Sequence, residues 1–249
     1  MVSQTQKDLG APAGPFLRFS GEPLEDFRTV RVRFRKTGSL SYISHLDLQR
    51  VMMRILVLGG IPMWYTQGFN PHAKVVFALP LPVGVESECE LMDLRICRDV
   101  PCEELRDRLN AVLTDEMKVK EIYIPERKFQ EIDSADYAFT FRGGRISETG
   151  AKEAETVLLD PGRKVLKKGK NGDKEISLAP HLRRLNVEST DGELRLYVNM
   201  PAGGDRETLS PLHVAQTLLD TLDWYDSAIE ADYTVTRLHI RDDRMREFR

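Results

Sequence analysis

Residues 29–35 read TVRVRFR, a strict alternation of apolar and basic side chains. Successive side chains of an extended strand point to opposite faces, so Val30, Val32 and Phe34 share one face. The opposite face carries Arg31, Arg33 and Arg35. This pattern predicts a half-buried β-strand, and therefore a sheet with one face against a hydrophobic core.

The segments after this strand predict the order β-α-β-β-α-β. Ser44 suits a helix N-cap because Asp47 follows three residues later, and the helix is expected to run to about Leu58, where two glycines end it. The later elements are predicted as strands at 74–79 and 85–97, a helix at 101–113 and a strand at 117–124.

The same order of elements recurs after Pro125, without visible sequence identity. The predicted elements are a strand at 137–142, a helix at 147–159, a hairpin over 163–178 around Asn171-Gly172, strands at 185–188 and 193–199, a helix at 210–222 and a strand at 233–240. We therefore predict an α+β fold of two tandem ferredoxin-like halves packed side by side. Residues 1–27 are predicted as a flexible leader, 28–125 as the N-terminal half and 126–249 as the C-terminal half.

Composition excludes several classes of protein. The 249 residues are 41% hydrophobic and 30% charged, and no apolar run approaches the ~18 residues of a membrane span. The opening residues lack the basic-then-apolar order of a signal peptide. Three cysteines without a CxxC pair leave no disulfide framework and no CxxxCxxC cluster motif in the chain. We expect a cytoplasmic protein without a membrane segment or a cofactor of its own.

Charge is distributed unevenly along the chain. Residues 28–80 carry eight basic residues against one acid, Asp47, although the whole chain has a formal net charge of -3. The rest of the chain is therefore acidic. This asymmetry favours phosphate or an acidic protein surface as a partner of the 28–80 segment.

Two interpretations of the arginine row stay open at this stage. Arginines two residues apart on a strand are separated by roughly 6.8 Å, a spacing that suits a track along a phosphate backbone. In a ferredoxin-like half the same row instead faces the third strand in cross-strand ion pairs. The acids in that ladder are Glu86, Glu88 and Glu90. Because Met92 continues the phase of these acids as an apolar face, a β-bulge is expected at 91–93.

The segment 65–74, YTQGFNPHAK, combines several groups that suit ligand binding. Gly68 permits a positive φ, and Asn70-Pro71 favours a turn. Phe69 offers a stacking face beside the donors of His72 and Lys74, as a site for a base, a nucleotide or an anionic peptide requires. The alternative is a structural loop in which Phe69 is part of the core.

His45 is predicted in the first turn of the helix, where free backbone N–H groups favour a neutral ring or a nearby anion. It offers three possibilities: a cap or ligand contact, an acid–base pair with His72 for RNA cleavage, or a metal site with Asp47. Five histidines without HxH or HxxxH spacing assemble no metal set, so no metal site is predicted. We expect this helix start and the 68–74 segment to converge in one exposed recess.

The combination of these motifs carries a family resemblance. It rests on SYISHLDL at 41–48, Arg50, GIP at 60–62, GFNPH at 68–72, LPVG at 81–84 and Glu86-Ser87. Together they resemble the bacterial radical SAM-linked protein family, a domain of unknown function fused to or encoded beside a radical SAM protein. The resemblance covers about residues 28–125.

The resemblance implies a partner more than an activity. It points to a radical SAM protein as partner and to a role around RNA or the ribosome, with the chain as an accessory or substrate-recognition protein rather than an enzyme. The alternatives are an RNA-processing or RNA-modifying enzyme using His45 and His72, and a small-molecule or peptide carrier. The predicted ligand contacts are Arg31, Arg33, Arg35, His45, Asp47, Arg50, Gly68, Phe69, Asn70, Pro71, His72 and Lys74.

Overall fold

The alternating stretch at 29–35 forms part of the first strand, β1 (Pro23–Lys36), in the computed structural model. The structure describes residues 21–143, 145–169, 172–203, 207–224 and 232–249. The strand therefore begins inside the segment predicted as a leader, and residues 1–20 lie outside the described part. The predicted boundary at 125–126 stays a prediction.

The first half contains β1 and five further elements in the predicted order. They are α1 (His45–Leu58), β2 (Val75–Phe77), β3 (Glu86–Arg98), α2 (Cys102–Asn110) and β4 (Val119–Tyr123). β1 lies between β4 and β3, and β2 pairs with the other edge of β3. The strand order is thus β4-β1-β3-β2, and every pairing in it is antiparallel.

The second half repeats this order with one insertion. Its elements are β5 (Ser134–Arg142), α3 (Gly150–Leu159), β6 (Lys164–Lys167), β7 (Lys174–Ser177), β8 (Arg183–Thr190), β9 (Glu193–Pro201), α4 (Leu212–Thr221) and β10 (Asp232–Arg241). β6 and β7 pair as a separate hairpin, and Asn171 of the predicted turn lies outside the described residues. The other strands follow the order β10-β5-β9-β8.

The two halves form one continuous sheet. β10 pairs in parallel with β3 at Thr236 and Arg237, so the described strands build a mostly antiparallel eight-stranded sheet. The fold is α+β, with four α-helices in the described residues. The two halves predicted to pack side by side are thus joined by backbone hydrogen bonds between β3 and β10.

All four helices cover the same face of the sheet. Val30, Val32 and Phe34 pack with α1 and α2 in one core, while Phe139 and Phe141 pack with α3 and α4 in a second. Glu90 lies opposite Phe34 in the register, and Arg237 lies opposite Tyr137 of the second core. The two charged side chains form an ion pair, which places both helix-covered faces on one side.

The other side of the sheet, here called the back face, is covered at its centre by two irregular segments. One is the linker (residues 124–133) between β4 and β5, and the other is the tail (residues 242–249). Phe129 of the linker and Phe248 of the tail pack against each other and over the guanidinium of Arg31. No helix in the described part of the chain has the length and apolar character needed to cross a bilayer.

Candidate nucleic-acid interface

The arginine row lies on the back face, but its members are engaged inside the protein. Arg31 is fully buried and donates two hydrogen bonds to Asp93, at 2.7 and 2.9 Å. Arg33 pairs with Glu247 at 2.5 Å and with Glu121 at 3.4 Å. Arg35 donates to the backbone carbonyl of Asp115. A phosphate track needs exposed guanidinium groups, so Arg31 does not suit that role in this structure.

The predicted ladder with Glu86, Glu88 and Glu90 is also corrected. The register places Asp93 opposite Arg31 and Leu91 opposite Arg33. The predicted bulge is shifted: Phe34 pairs with Glu90 and Lys36 with Ser87, so the irregularity falls before Leu91 rather than at 91–93. The same register pairs Phe34 with Glu90, so Glu90 lies on the helix-covered face and not opposite an arginine, because side chains alternate with period two.

The start of α1 is built as the sequence predicts. The Ser44 hydroxyl accepts a hydrogen bond from the backbone N–H of Asp47 at 3.2 Å and donates to the Asp47 carboxylate at 2.7 Å. Arg50 donates to the same carboxylate at 2.9 Å. The Ser44 hydroxyl and then Arg50 hold the pKa of Asp47 below its usual value. His45 shares a hydrogen bond with the Gln49 amide at 3.0 Å.

The motif loop (residues 65–74) is stabilised by hydrogen bonds between its own residues, and its tip is exposed to solvent. Tyr65 pairs with Ala73 as an isolated bridge, and Thr66 N–H donates to the carbonyl of His72 at 3.0 Å. The Thr66 hydroxyl also bonds the His72 ring at 3.0 Å. Gly68 has φ +145° with nothing near its Cα, and the following Phe69 has a relative exposure of 109%. The core position considered for Phe69 is therefore not the one observed.

The start of α1 contacts Phe77 of β2, the strand that follows the motif loop, and this contact is not polar. The ring of His45 lies 5.6 Å from that of Phe77, edge to face. Val76 is opposite Asp93 in the register, so β2 turns Val76 to the back face and Phe77 to the helix side. Among the described residues, no hydrogen bond or ion pair links His45 to the loop. The convergence of the two segments in a single recess stays a prediction.

An exposed apolar patch surrounds the helix start. Tyr42 is 73% exposed and Leu46 is 62% exposed. The backbone N–H of Gly84 donates to the carbonyl of Ser41 at 2.9 Å, which brings the exposed Val83 to the same place. These residues belong to the SYISHLDL and LPVG motifs. Such a patch, bordered by charged side chains, is typical of a protein–protein contact surface.

A cavity of about 890 Å³ lies on the back face, between the β2–β3 edge and the linker. Lys74 joins this cavity to the motif loop, since it ends the loop and lines the cavity. Arg95 lines it from β3, with its guanidinium stacked 3.8 Å from the ring of Phe27 and 5.3 Å from that of Trp64. Lys128 lines it from the linker.

Sequence reasoning did not assign Arg95 or Lys128 to a site. For Arg95 a signal was available: Met92, Leu94 and Ile96 alternate with Asp93 and Arg95, which predicts that the charged pair shares the face opposite the core. No sequence pattern indicated Lys128, because the linker has no regular alternation of apolar and polar residues from which its path over the sheet could be predicted.

The described residues form neither a metal-binding cluster nor an activated nucleophile. No group of three or more histidine, cysteine or acidic side chains is placed to hold a metal ion there. Burial raises the pKa of Cys89 to about 11, so this thiol is protonated near neutral pH. His45 and His72 are each engaged with a neighbour of their own segment, at Gln49 and Thr66.

Comparisons with known proteins give a family and two weak structural similarities. No curated protein matches the chain. A chain of the "Crystal Structure of a Cbf5-Nop10-Gar1 Complex" is 9% identical with a TM-score of 0.42, over 89% of this chain and 55% of that one, so this chain spans about half its length. The "Crystal Structure of an Unknown Protein from Galdieria sulphuraria" is 10% identical with a TM-score of 0.24, over 85% of this chain and 99% of that one.

Both TM-scores are too low to support an argument about fold or function. The family comparison is more informative, because one model matches residues 29–211, which include the alternating part of β1 and the whole of the motif loop. The chain belongs to the family described as "Uncharacterized protein conserved in bacteria (DUF2344)".

Proposed function

We propose that the chain is a cytoplasmic recognition protein that binds RNA through the motif loop and works with a separate radical SAM enzyme. The observation that carries the RNA part is Phe69, which stands fully exposed at the tip of an internally bonded loop. Leaving a phenylalanine ring in water forgoes roughly 2 kcal/mol of burial free energy. A ring presented in this way, beside the exposed His72 and Lys74, suits base stacking.

The radical SAM partner is supported by the resemblance of the motifs at 41–48, 68–72 and 81–84. Tyr42 and Leu46 of these motifs are exposed, so they are available to a protein partner. We assign the partner to this apolar patch and RNA to the motif loop. The ferredoxin-like description of each half belongs to the same proposal; it is supported by the strand orders β4-β1-β3-β2 and β10-β5-β9-β8.

An RNA-cleaving function with His45 and His72 is the alternative in the class of enzymes. Acid–base catalysis by a pair requires both rings within reach of one reacting group. The two rings are bonded to Gln49 and Thr66, on segments that share no polar contact in the described residues. The geometry therefore favours recognition over cleavage. Cleavage of RNA in the presence of a chelator, lost in a His45→Ala variant, would reverse this preference.

RNA binding is tested with Phe69→Ala. Fluorescence anisotropy of a labelled 12-nucleotide RNA should show about tenfold weaker binding, because the loss of one stacked base costs ~1–3 kcal/mol. Leu159→Ala is the matched control, since Leu159 is an exposed apolar residue at the end of α3 in the second half. Equal affinity of the wild type and Phe69→Ala would contradict the assignment of RNA to this loop.

The partner is tested by co-purification of the chain with radical SAM proteins encoded in the same genome. We expect retention that survives ribonuclease and is lost in the Tyr42→Ser, Leu46→Ser double variant. Retention that ribonuclease abolishes would show that RNA bridges the two proteins. Failure to associate in both conditions would contradict the partnership and leave the RNA result standing.

A further inference from the structure

The back-face cavity has a fixed roof. The linker that forms this roof is tied to the sheet through Arg31, which donates to the carbonyl of Arg127 at 2.9 Å and lies 4.2 Å from the ring of Phe129. Arg127 also pairs with Asp242 of the tail at 3.2 Å. The buried arginine of the alternating strand therefore shapes the cavity, and the roof is held from both sides.

The cavity has a positive lining in an acidic protein. Lys74, Arg95 and Lys128 line it and form no ion pair with a described residue. Three acids also line the cavity: Asp93 accepts from Arg31, Glu126 lies 4.0 Å from Arg249, and Glu131 accepts from the backbone N–H of Lys128 at 2.9 Å. Only Glu131 has no ion pair among the described residues, so the three cations leave an excess of positive charge. A positive cleft in a chain with a net charge of -3 concentrates anionic ligands at that cleft.

The floor of the same cavity is apolar. It includes Val76, Ala78 and Leu79, with Phe129 at the roof. A volume of about 890 Å³ lies in the range that proteins use for small-molecule and cofactor sites. A ligand that fits these walls has a flat apolar part and an anionic part, which is the chemistry of a nucleotide.

We propose that the back-face cavity binds a nucleotide unit of single-stranded nucleic acid, with its base against the apolar floor and its phosphate between Lys74 and Lys128. The proposal rests on the RNA binding proposed above and names a second contact for the same strand. Lys74 is shared by the motif loop and the cavity, so a base on Phe69 and a nucleotide in the cavity lie on one path.

The path extends toward the second half. An adjacent cavity of about 840 Å³ shares Ala78, Leu79 and Gly203 with the first and is lined by Lys167 and Lys168. An extended strand that fills both cavities would cross the junction of the two halves. Binding is therefore expected to strengthen from 4-nucleotide to 12-nucleotide oligomers.

The test is a binding titration of the full chain with labelled uridylate and deoxyuridylate 12-mers, which differ only in the ribose 2′-hydroxyl. The Lys74→Ala, Lys128→Ala variant should bind at least tenfold more weakly than the wild type. Its salt dependence, as the slope of log K against log salt, should fall by about 0.7 for each lost phosphate contact. Lys152→Ala with Lys164→Ala is the matched control, because both lysines are exposed on the second half and line neither cavity.

A third variant tests the floor. Val76→Glu adds a carboxylate to a residue that is 43% exposed on the short strand β2, so the fold should persist while nucleotide binding falls. Circular dichroism checks the fold. An unchanged affinity in both Val76→Glu and the double lysine variant would overturn the proposal.

The remaining outcomes separate this proposal from the proposed function. If Phe69→Ala weakens binding and the cavity variants do not, RNA recognition stands and the cavity assignment is wrong. If neither 12-mer binds the wild type, both are wrong. A poly-glutamate peptide of the same length that binds as tightly as the oligomers would assign the cavity to an acidic protein and overturn the nucleotide proposal. Binding of both 12-mers supports the shared base-and-phosphate chemistry, and their ratio shows whether the ribose hydroxyl contributes.

Discussion

The first half of the chain arranges its strands as β4-β1-β3-β2, and the second half arranges its strands as β10-β5-β9-β8. The two orders are the same when each strand is numbered within its own half. The halves differ in the strand at one edge: β2 has three residues, whereas β8 has eight. The short β2 leaves the beginning of β3 unpaired on that side, and β10 binds there.

This difference shows how a repeated unit becomes a single sheet. A full-length β2 would cover the edge of β3 and exclude β10. Instead, the chain after Phe77 leaves the beginning of β3 to β10, and the chain before Val75 forms the motif loop. The comparison therefore relates one sequence difference, the length of the second strand, to both the junction and the candidate site.

Disrupting the junction between β3 and β10 should have the largest effect on the free energy of unfolding. Arg237→Met leaves Glu90 buried without its ion-pair partner, and the removal of one partner from a buried pair costs about 3–5 kcal/mol. Urea unfolding followed by circular dichroism measures this loss. Glu90→Leu combined with Arg237→Met should recover most of it, because an apolar pair of similar size needs no compensation for buried charge.

The control for the junction is a pair of the same chemistry on the surface. Arg145 and Asp223 form an ion pair at 2.8 Å, with side chains 49% and 85% exposed. Arg145→Met should cost less than about 1 kcal/mol. Equal losses for Arg145→Met and Arg237→Met would show that the buried pair does not hold the halves together.

The helix N-caps also differ between the two halves, and we expect their substitution to have a smaller effect on the free energy of unfolding. Ser44 accepts from the backbone of α1, whereas Thr149, at the start of α3, makes no such bond. Ser44→Ala should therefore lower the free energy of unfolding by about 1 kcal/mol, and Thr149→Ala by only a few tenths. Thermal unfolding of the two variants measures the difference, and equal shifts would contradict it.

The cap also predicts a dependence on pH. The pKa of Asp47 is lowered in the folded state, first by the Ser44 hydroxyl and then by Arg50. A lowered pKa contributes stability above the unfolded value, near pH 4, and this contribution is lost as the pH falls through the folded value. The difference in Tm between the wild type and Ser44→Ala should therefore shrink between pH 5 and pH 3. A difference that grows on acidification would contradict this account.

Cysteine reactivity should report the junction with little effect on stability. Cys89 is buried, its pKa is raised to about 11 by burial, and its thiol donates to the carbonyl of Arg237 at 3.7 Å. At pH 8, iodoacetamide should modify Cys97 faster than Cys89, because Cys89 is buried and burial keeps its thiol protonated. Arg237→Met removes a cation that favours the Cys89 thiolate, so faster modification of Cys89 in that variant, which we expect, reports an opened junction and not a lowered pKa. Equal rates for the two cysteines in the wild type would contradict the buried position.

Local pattern was sufficient for the elements themselves. The alternation at 29–35 predicted β1, the Ser44 cap predicted α1, and glycine-containing turns separated most of the later strands. Each of these signals acts between residues close in sequence, through side-chain period or capping bonds. The exposure of Phe69 was already one of two readings of the motif loop.

Only the tertiary structure decided which side chains contact each other across the sheet. The acids opposite the arginines depended on the register between β1 and β3, and a shift of one residue reverses which side chains meet across a sheet. The linker and tail cover Arg31 because Phe129 and Phe248 are distant in sequence and meet only after the sheet forms. The sequence by itself determined the strands, the first helix start and the basic character of 28–80, whereas burial, register and the back-face cavity arise from contacts between segments far apart in the chain.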